Sequence, residues 1–275
     1  MSEVFKSIKA VDVHDVKWID ARFSLQDGGS GRKKFKEGHI KGAQYWDLEN
    51  DLSDMDEKAG RHPLPDKDTL TSLFRKSGLE LDDRILIYDD GGSPFAARAW
   101  WILQYGGFKN SFILLEGFEE LAALGVPVSN TADADVPEPS NVVPVWDETI
   151  FATREFVEKT VEGKTGNVLV DARSAERYRG EVEPIDPIAG HIPGALNFNW
   201  EQLKRDGSFD LSDDVGEQLT QIVKRDEEIV VYCGSGVTAA PLFAMMKQNG
   251  YENVKLYVGS YSDWISREVV EVEKG

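Results

Sequence analysis

The sequence predicts an α/β protein in which two tandem domains each have a mainly parallel sheet flanked by helices on both faces. The first observation is an internal repeat, because blocks of the N-terminal half recur in the same order in the C-terminal half. The matched blocks are 18–22 with 169–173, 38–43 with 190–195, 85–89 with 229–233, and 105–118 with 249–261. The second observation is that short apolar runs alternate with amphipathic stretches such as 66–77 and 213–225, as strands alternate with helices in α/β units.

A proline-bearing segment separates the two copies. Residues 126–147 are rich in Pro, Ser, Asn, Asp and Thr, a composition typical of an extended, semi-rigid linker. We therefore predict an N-terminal domain over 1–125, a linker over 126–145 and a C-terminal domain over 146–275.

Length and charge narrow the classes of function. The 275 residues suffice for one large or two ordinary domains with buried cores. The formal net charge of −18 repels nucleic acids and anionic membranes, so neither is expected as a partner. The same charge repels small anions, so an anionic substrate needs a local cluster of arginines and backbone N–H donors.

The cysteine content indicates a reducing compartment. Cys233 is the single cysteine, so the chain cannot form an intramolecular disulfide. Residues 1–13 have no apolar core after basic residues, and no run approaches the ~18 apolar residues of a membrane span. We therefore expect a cytoplasmic protein, and the sequence predicts neither a metal nor a cofactor.

Cys233 follows a short β-branched run that predicts a buried strand. Gly234 and Gly236 predict a tight loop after it, and Thr238 begins a predicted helix that ends at Gln248. Such a loop turns several N–H groups inward in front of a helix N-terminus, and it therefore favours an anion such as a thiolate or a persulfide. A lone cysteine can also be a buried apolar residue. The glycines at the carboxyl end of the strand, where α/β sheets bind ligands, favour the nucleophile.

The first copy has Asp89 at the position of Cys233. A carboxylate cannot perform thiol chemistry, so only the second copy is expected to be catalytic. The first copy is expected to serve as a scaffold that can also wall the pocket.

Other motifs occur in both copies and are therefore expected to be structural. His39 and His191 each lie in a Gly-His-Ile-x-Gly-Ala run, which suggests turn braces rather than catalytic bases. The Asp-Ala-Arg triplets at 20–22 and 171–173 are expected to form ion pairs or turn anchors at strand ends.

His62 differs because the second copy has no counterpart to it. It lies in a loop stiffened by two prolines, downstream of the carboxylates Asp47, Glu49 and Asp51, and a solvated loop histidine is the simpler interpretation. Alternatively, a histidine oriented by a carboxylate could polarise Ser235, two residues beyond the cysteine, by the logic of a catalytic triad.

Two arginines follow the strand that ends at Asp171. Arg177 and Arg179 each carry a guanidinium fork that suits a carboxylate or a sulfonate. Most arginines are solvated, so position alone leaves both interpretations open.

The run from Cys233 to Ala239, Cys-Gly-Ser-Gly-Val-Thr-Ala, resembles the active-site loop of tandem-domain rhodanese-type sulfurtransferases, in the variant typical of 3-mercaptopyruvate sulfurtransferases. The Asp-Ala-Arg runs, the Gly-His-Ile-Pro-Gly-Ala run and the segment 259–264 are similar to other hallmarks of that family. The resemblance covers essentially the whole chain. It implies two rhodanese folds, of which the C-terminal one moves a sulfane sulfur through a persulfide on Cys233.

The resemblance also assigns roles to residues. It implies that Ser235, His62 and Glu49 act with Cys233 and that Arg177 holds the substrate carboxylate. The remaining donor-binding positions that it implies are Gly234, Gly236, Val237 and Thr238. The expected partners are a small anionic sulfur donor and an acceptor that is a thiol, cyanide or a thioredoxin-like protein.

The expected sulfur donor depends on two positions at which this chain differs from the patterns of known sulfurtransferases. Mercaptopyruvate enzymes often carry a second substrate arginine after a Glu-Pro pair, but Ile185 stands there in this chain. Thiosulfate rhodaneses typically have a basic pair after the cysteine, where this chain has Gly234 and Ser235. We expect 3-mercaptopyruvate as the favoured donor, with thiosulfate as the alternative or additional one.

Two other classes are remote. Cysteine phosphatases and arsenate reductases share the thiolate loop, but these phosphatases need an arginine six positions after the cysteine, where this chain has Ala239. A non-catalytic rhodanese-like binding module would have lost the cysteine, and that loss is found in the first copy alone.

Overall fold

The computed structural model describes residues 3–131, 136–267 and 270–275. They form two compact units, of which the N-terminal unit comprises 3–54 and 65–147 and the C-terminal unit comprises 55–64 and the described residues from 148 onward. The short segment 55–64 therefore packs with the C-terminal half of the chain, although it lies within the predicted N-terminal domain.

The N-terminal unit contains a parallel sheet of five strands. Its elements are β1 Phe5–Lys6, β2 Val16–Asp20, α1 Ser30–Glu37, β3 His39–Ile40, β4 Ala43–Tyr45, α2 Lys67–Lys76, β5 Arg84–Tyr88, α3 Phe95–Tyr105, β6 Ser111–Leu114, α4 Phe118–Ala123 and β7 Val128–Ser129. The strands run in the order β1-β6-β5-β2-β4, all parallel, while β3 and β7 form a separate antiparallel pair.

The C-terminal unit repeats this plan. Its elements are β8 Phe151–Ala152, α5 Arg154–Val161, β9 Val168–Asp171, α6 Ala175–Tyr178, β10 Leu196–Asn197, β11 Lys204–Arg205, β12 Ser208–Phe209, α7 Asp213–Ile222, β13 Ile229–Tyr232, α8 Ala239–Gln248, β14 Val254–Tyr257 and α9 Ser260–Trp264. The order β8-β14-β13-β9-β10 is again all parallel and matches the first sheet strand for strand. The predicted fold class is confirmed.

The central strands and the helices behind them form the core of each unit. All residues of β13 are fully buried, and nearly all of α3 and most of α8 are buried, which explains why these helices read as apolar on every face. Helix α7 ends at Ile222, before the predicted end at 225, because Val223 turns into extended backbone and packs in the interior. In the described ranges, no helix is long and apolar enough to cross a membrane.

The motifs found in both copies brace equivalent turns. Arg173 donates hydrogen bonds to both carboxylate oxygens of Asp171 and to the carbonyl of Gly190 at 2.7 Å. The first copy repeats this pattern at Asp20, Arg22 and Gly38. These are the strand-end ion pairs that the repeated triplets predict.

The repeated histidines also have equivalent surroundings. Nδ1 of His39 lies 2.7 Å from the carbonyl of Phe35, and Nδ1 of His191 lies 2.7 Å from the carbonyl of Tyr178. Each imidazole also stacks on the ring of that residue, with centroids 3.9 Å and 3.8 Å apart. Both histidines thus occupy bracing positions, as their repetition suggests.

The described part of the predicted linker lies along the N-terminal unit. The N–H of Ser140 donates to the carbonyl of Arg75 at 2.9 Å, and the N–H of Val145 donates to Gly106 at 3.0 Å. Its hydrogen bonds thus go to neighbouring elements, while residues 132–135 of the predicted linker lie outside the described residues.

Candidate active site

Cys233 lies at the carboxyl end of β13, the middle strand of the C-terminal sheet. The residue is 1% exposed, and its Sγ accepts the N–H of Gly236 at 3.2 Å. Its own N–H donates to the hydroxyl of Ser260 at 3.1 Å. The sulfur therefore lies in a loop that donates an N–H to it, in front of the N-terminus of α8.

The loop after the cysteine needs its second glycine. Gly236 has a φ of +75°, and a Cβ at this position would overlap the carbonyl of Val258. Val237 is buried behind the loop, and Thr238 is the N-cap residue from which α8 starts. These residues belong to the loop and to the start of α8. The contacts of Gly234, Gly236, Val237 and Thr238 with a sulfur donor remain a prediction.

His62 and Ser235 meet in the structure. Nδ1 of His62 lies 2.8 Å from Oγ of Ser235, and both residues are 8% exposed. The histidine tautomer decides which atom donates this hydrogen bond. A buried hydroxyl–imidazole pair two residues from the thiol can transfer or hold a proton beside the sulfur.

The turn at 259–262 positions both the cysteine loop and the histidine segment. Gly60 has a φ of +98°, and a Cβ there would lie 2.7 Å from the carbonyl oxygen of Gly259. The N–H of Arg61 donates to the hydroxyl of Ser262 at 3.1 Å, and the N–H of Ser262 donates to the carbonyl of Gly234 at 2.9 Å. One turn therefore fixes the two segments against each other.

Arg177 is bound by two carboxylates. Its Nε and Nη2 donate to Glu183 at 3.1 Å and 2.8 Å, and Nη2 also donates to Asp186 at 3.1 Å. A Cβ on Gly234 would lie 3.5 Å from Nη2 of Arg177, so the guanidinium lies against the residue after the cysteine. The structure thus places Arg177 beside the loop, and its role in holding a substrate carboxylate stays a prediction.

A second guanidinium, which the sequence reasoning missed, lies at the same place. Nη1 of Arg61 forms an ion pair with Asp186, and Nη2 of Arg61 is 2.5 Å from the position of a Cβ on Gly234. The available signal was its position next to His62, in a loop that the second copy lacks. Its closeness to Gly234 depends on the fold and could not be derived from spacing.

The two carboxylates that hold these arginines differ in their proton affinity. Burial raises the pKa of Asp186, although the charges of Arg61 and Arg177 oppose the rise. Burial also acts to raise the pKa of Glu183, but the hydrogen bonds from Arg177 and from backbone N–H groups outweigh it and hold that pKa below its usual value.

Glu49 lies in the N-terminal unit, whereas His62 belongs to the C-terminal unit. The N–H of Glu49 donates to Asp47 at 3.0 Å, and Glu49 lines a cleft of about 670 Å³ that the basic residues Arg32 and Lys36 also border. Its role as a carboxylate that orients His62 therefore stays a prediction.

Asp89 occupies the place of the thiol in the first copy. Its carboxylate accepts the N–H groups of Gly91 at 2.8 Å and Ala96 at 3.0 Å, and the residue is almost fully buried. Burial raises the pKa of Asp89 to about 7, against the lowering effect of those N–H groups. The degenerate loop thus keeps its N–H donors and fills the anion site with its own side chain.

Over the described part of the chain, no group of three or more His, Cys, Asp or Glu side chains is arranged to hold a metal ion.

Comparison with known proteins assigns a family to both halves. A model of the rhodanese-like domain matches residues 4–124 and 154–267. A probable 3-mercaptopyruvate sulfurtransferase of Pseudomonas aeruginosa is 38% identical over 258 residues, which are 92% of this chain and 90% of that protein. A putative thiosulfate sulfurtransferase of Mycobacterium tuberculosis is 35% identical over 260 residues, covering 94% and 90% of the two chains. The structure of 3-mercaptopyruvate sulfurtransferase from Leishmania major superposes with a TM-score of 0.83 at 26% identity, covering 95% of this chain and 74% of that one.

Proposed function

The chain belongs to the rhodanese-like family and is a sulfurtransferase, and on that premise we propose that Cys233 carries the transferred sulfur as a persulfide. The observation that carries the proposal is the sulfur at the carboxyl end of β13, with the N–H of Gly236 donating to it. A thiolate and the terminal sulfur of a persulfide are both anions that gain from such donors.

The reaction has two steps in which the sulfur changes partners. The Cys233 thiolate attacks the sulfur of the donor, and with 3-mercaptopyruvate the carbon–sulfur bond breaks as the new sulfur–sulfur bond forms. The carbon that loses sulfur takes up the proton of the donor thiol, so pyruvate leaves and a persulfide anion remains. An acceptor thiolate or cyanide then takes the outer sulfur and restores the Cys233 thiolate.

The pair of Ser235 and His62 gives that proton a route. The two side chains are hydrogen-bonded and buried close to the loop of Cys233, so they can pass a proton to the carbon that the sulfur leaves. Glu49 is proposed as the carboxylate that orients His62.

We propose 3-mercaptopyruvate as the preferred donor. The support is the position of Arg177 beside Gly234, the uncharged residues after Cys233 and the name of the Pseudomonas relative. Thiosulfate is the second candidate, which the name of the Mycobacterium relative favours. The proposed acceptor is a thiol, cyanide or a thioredoxin-like protein, and the proposed compartment is the reducing cytoplasm.

The persulfide is tested by the intact mass of the protein. After incubation with 3-mercaptopyruvate or thiosulfate, the mass of the wild-type chain should rise by one sulfur atom, and an acceptor thiol should reverse the gain. Cys233→Ser should show neither the gain nor any activity, while Ser260→Ala, which removes the hydroxyl that accepts the N–H of Cys233, should still gain sulfur.

A Cys233→Ser protein that still transfers sulfur would contradict the assignment. Side-by-side steady-state kinetics with the two donors decide the preference, and a higher kcat/KM for thiosulfate would reverse the proposed order.

A further inference from the structure

We propose that Arg61 binds the carboxylate of the sulfur donor together with Arg177, so that the segment 55–64 supplies the second substrate-binding arginine of this site. This inference rests on the proposed function and identifies which side chains recognise an α-keto acid.

The position of Gly234 shows where the two guanidinium groups converge. A Cβ on this glycine would lie 2.5 Å from Nη2 of Arg61, and 3.6 Å and 3.5 Å from Nη1 and Nη2 of Arg177. Gly234 directly follows the nucleophilic Cys233. Both cationic groups therefore lie against the residue next to the reacting sulfur, and a side chain at position 234 would collide with Nη2 of Arg61.

Asp186 holds the two guanidinium groups together. Its Oδ1 pairs with Nη1 of Arg61, and its Oδ2 accepts from Nη2 of Arg177 at 3.1 Å. The Asp186 side chain is 3% exposed, whereas that of Arg61 is 30% exposed, so the carboxylate is buried and the Arg61 side chain stays partly accessible to solvent. A carboxylate between two cations reduces their mutual repulsion, which keeps both close to the loop.

Both arginines retain donors for a further anion. Nε and Nη2 of Arg177 donate to Glu183, and Nη2 also donates to Asp186. Nη1 of Arg61 donates to Asp186. Among the described residues, none accepts a hydrogen bond from Nη2 of Arg61 or from Nη1 of Arg177. These are the two donor groups that lie near Gly234, and a carboxylate has two oxygens to accept from them.

The ion-pair network beside Gly234 has no net charge that would attract an anion. The guanidinium groups of Arg61, Arg173 and Arg177 are matched by the carboxylates of Asp171, Glu183 and Asp186. Binding of an anion therefore depends on the direction of the remaining N–H groups. Arginine supplies that direction and lysine does not.

Ile185 stands at the position where mercaptopyruvate enzymes often carry their second substrate arginine. Its side chain is exposed and apolar, and its N–H is already donated to Glu183 at 3.1 Å. The position after the Glu-Pro pair thus offers no cation to the donor. Arg61 places a guanidinium beside Arg177 from a different part of the sequence.

The two donors should depend on Arg61 to different degrees. In 3-mercaptopyruvate a carbon chain separates the carboxylate from the sulfur, so the carboxylate can reach past Cys233 to Gly234 and the arginines. In thiosulfate the oxygens are attached to the atom next to the transferred sulfur and stay closer to the N–H groups of the loop.

The test compares Arg61→Gln and Arg61→Lys with the wild-type chain by steady-state kinetics. We expect KM for 3-mercaptopyruvate to rise roughly 10- to 150-fold, the effect of losing charge-assisted hydrogen bonds, while kcat stays within about threefold. KM for thiosulfate should rise by a clearly smaller factor. Arg205→Gln is the matched control, because Arg205 is more exposed and pairs with Asp210 and Asp214, and it should change neither KM.

A binding experiment separates this inference from the persulfide proposal. Calorimetry with 3-mercaptopyruvate on Cys233→Ser needs no sulfur transfer, and adding Arg61→Gln should weaken binding by the same factor as KM. Persulfide formation in the wild-type chain, by intact mass, reports on the proposed function alone.

Two results would overturn the inference. The first is that both Arg61 variants keep KM and the dissociation constant for 3-mercaptopyruvate within twofold of the parent values. The second is that KM rises equally for the two donors. Arg61→Lys keeps the charge that faces Asp186, so it provides the readout if Arg61→Gln folds poorly. Adding Ile185→Arg to Arg61→Gln should recover part of the lost affinity.

Discussion

One position in each copy shows how a single residue changes the chemistry of a shared loop. Cys233 and Asp89 both follow a central strand, and both accept an N–H from the loop that comes next, that of Gly236 and that of Gly91. The thiol can exchange a sulfur atom with a donor, whereas the carboxylate can only occupy the same kind of site. The first copy therefore keeps the architecture of an anion site without its reactivity.

The buried Asp89 should make stability depend on pH. Its pKa is about 7 in the folded protein against a usual value of 3.8, so between these values the folded chain holds a proton that the unfolded chain has released. Stability contributed by this group is therefore highest below pH 4 and falls as the pH rises toward 7. The slope approaches about 1.4 kcal/mol per pH unit.

Asp89→Asn should remove that slope, which denaturant unfolding at a series of pH values measures. The matched control is Asp82→Asn, on an exposed carboxylate of the same unit, and it should keep the wild-type slope. Parallel curves for the wild type and Asp89→Asn between pH 4 and pH 7 would show that Asp89 is ionised throughout.

The sequence was informative about single residues where a repeat could be compared with its other copy. His62 stood out because it had no counterpart, and it lies beside Ser235 although 173 positions separate them. Arg61 was missed because an arginine in a loop is usually solvated and because nothing in the spacing indicates Gly234 as its neighbour. Long-range packing decides that contact, and sequence periodicity does not report it.

At the scale of elements, the turn at 259–262, before and within α9, holds both the cysteine loop and the segment 55–64 by hydrogen bonds. Ser260 adopts a φ of +56° and accepts the N–H of Cys233, while Ser262 accepts the N–H of Arg61. The sequence indicated this segment only through its similarity to the corresponding segment of the family. Its mechanical role follows from a backbone conformation that few residues adopt.

Gly60 should be a sensitive position in this arrangement. Gly60→Ala places a Cβ 2.7 Å from the carbonyl of Gly259, so the segment must shift and move both Arg61 and His62. We expect kcat to fall and KM for 3-mercaptopyruvate to rise, each by about tenfold or more, since displaced groups lose acid–base and binding contributions.

Gly207→Ala is the matched control for the backbone. Gly207 has a φ of +85° and open space around it, so alanine there costs only the strain of that conformation, about 1 kcal/mol. Kinetics and thermal unfolding of both variants separate the displacement of the 55–64 segment from the backbone strain of an alanine at positive φ. Equal kinetics in the two variants would show that the 55–64 segment tolerates the shift.

At the scale of the whole molecule, the sequence predicted the fold class, but it did not predict that residues 55–64 pack in the C-terminal unit. Strand and helix periodicity together with the internal repeat predicted both sheets, and the structure has them in equivalent strand order. The segment 55–64 was assigned to the first domain because it lies there in sequence. It packs in the C-terminal unit through Gly60, Arg61 and His62, contacts that leave no periodic pattern.

This division predicts the behaviour of the C-terminal half on its own. A fragment of residues 148–275 retains Cys233, Ser235 and the complete second sheet, but it lacks the segment that carries Arg61 and His62. Losing the histidine removes an acid–base contribution of typically 10²-fold or more, and losing the arginine weakens donor binding further. We therefore expect kcat/KM for 3-mercaptopyruvate to fall at least about 100-fold, even where circular dichroism shows a folded sheet.

A second fragment tests whether the segment itself is responsible. Residues 55–64, fused through a flexible linker ahead of residue 148, should recover part of the lost activity, whereas the same fusion with Arg61→Gln and His62→Ala should recover none. Linking a segment to its site raises its effective concentration, so partial recovery needs no new contact. Full activity in the unfused fragment would mean that Cys233 and its loop suffice for sulfur transfer, and that neither Arg61 nor His62 takes part.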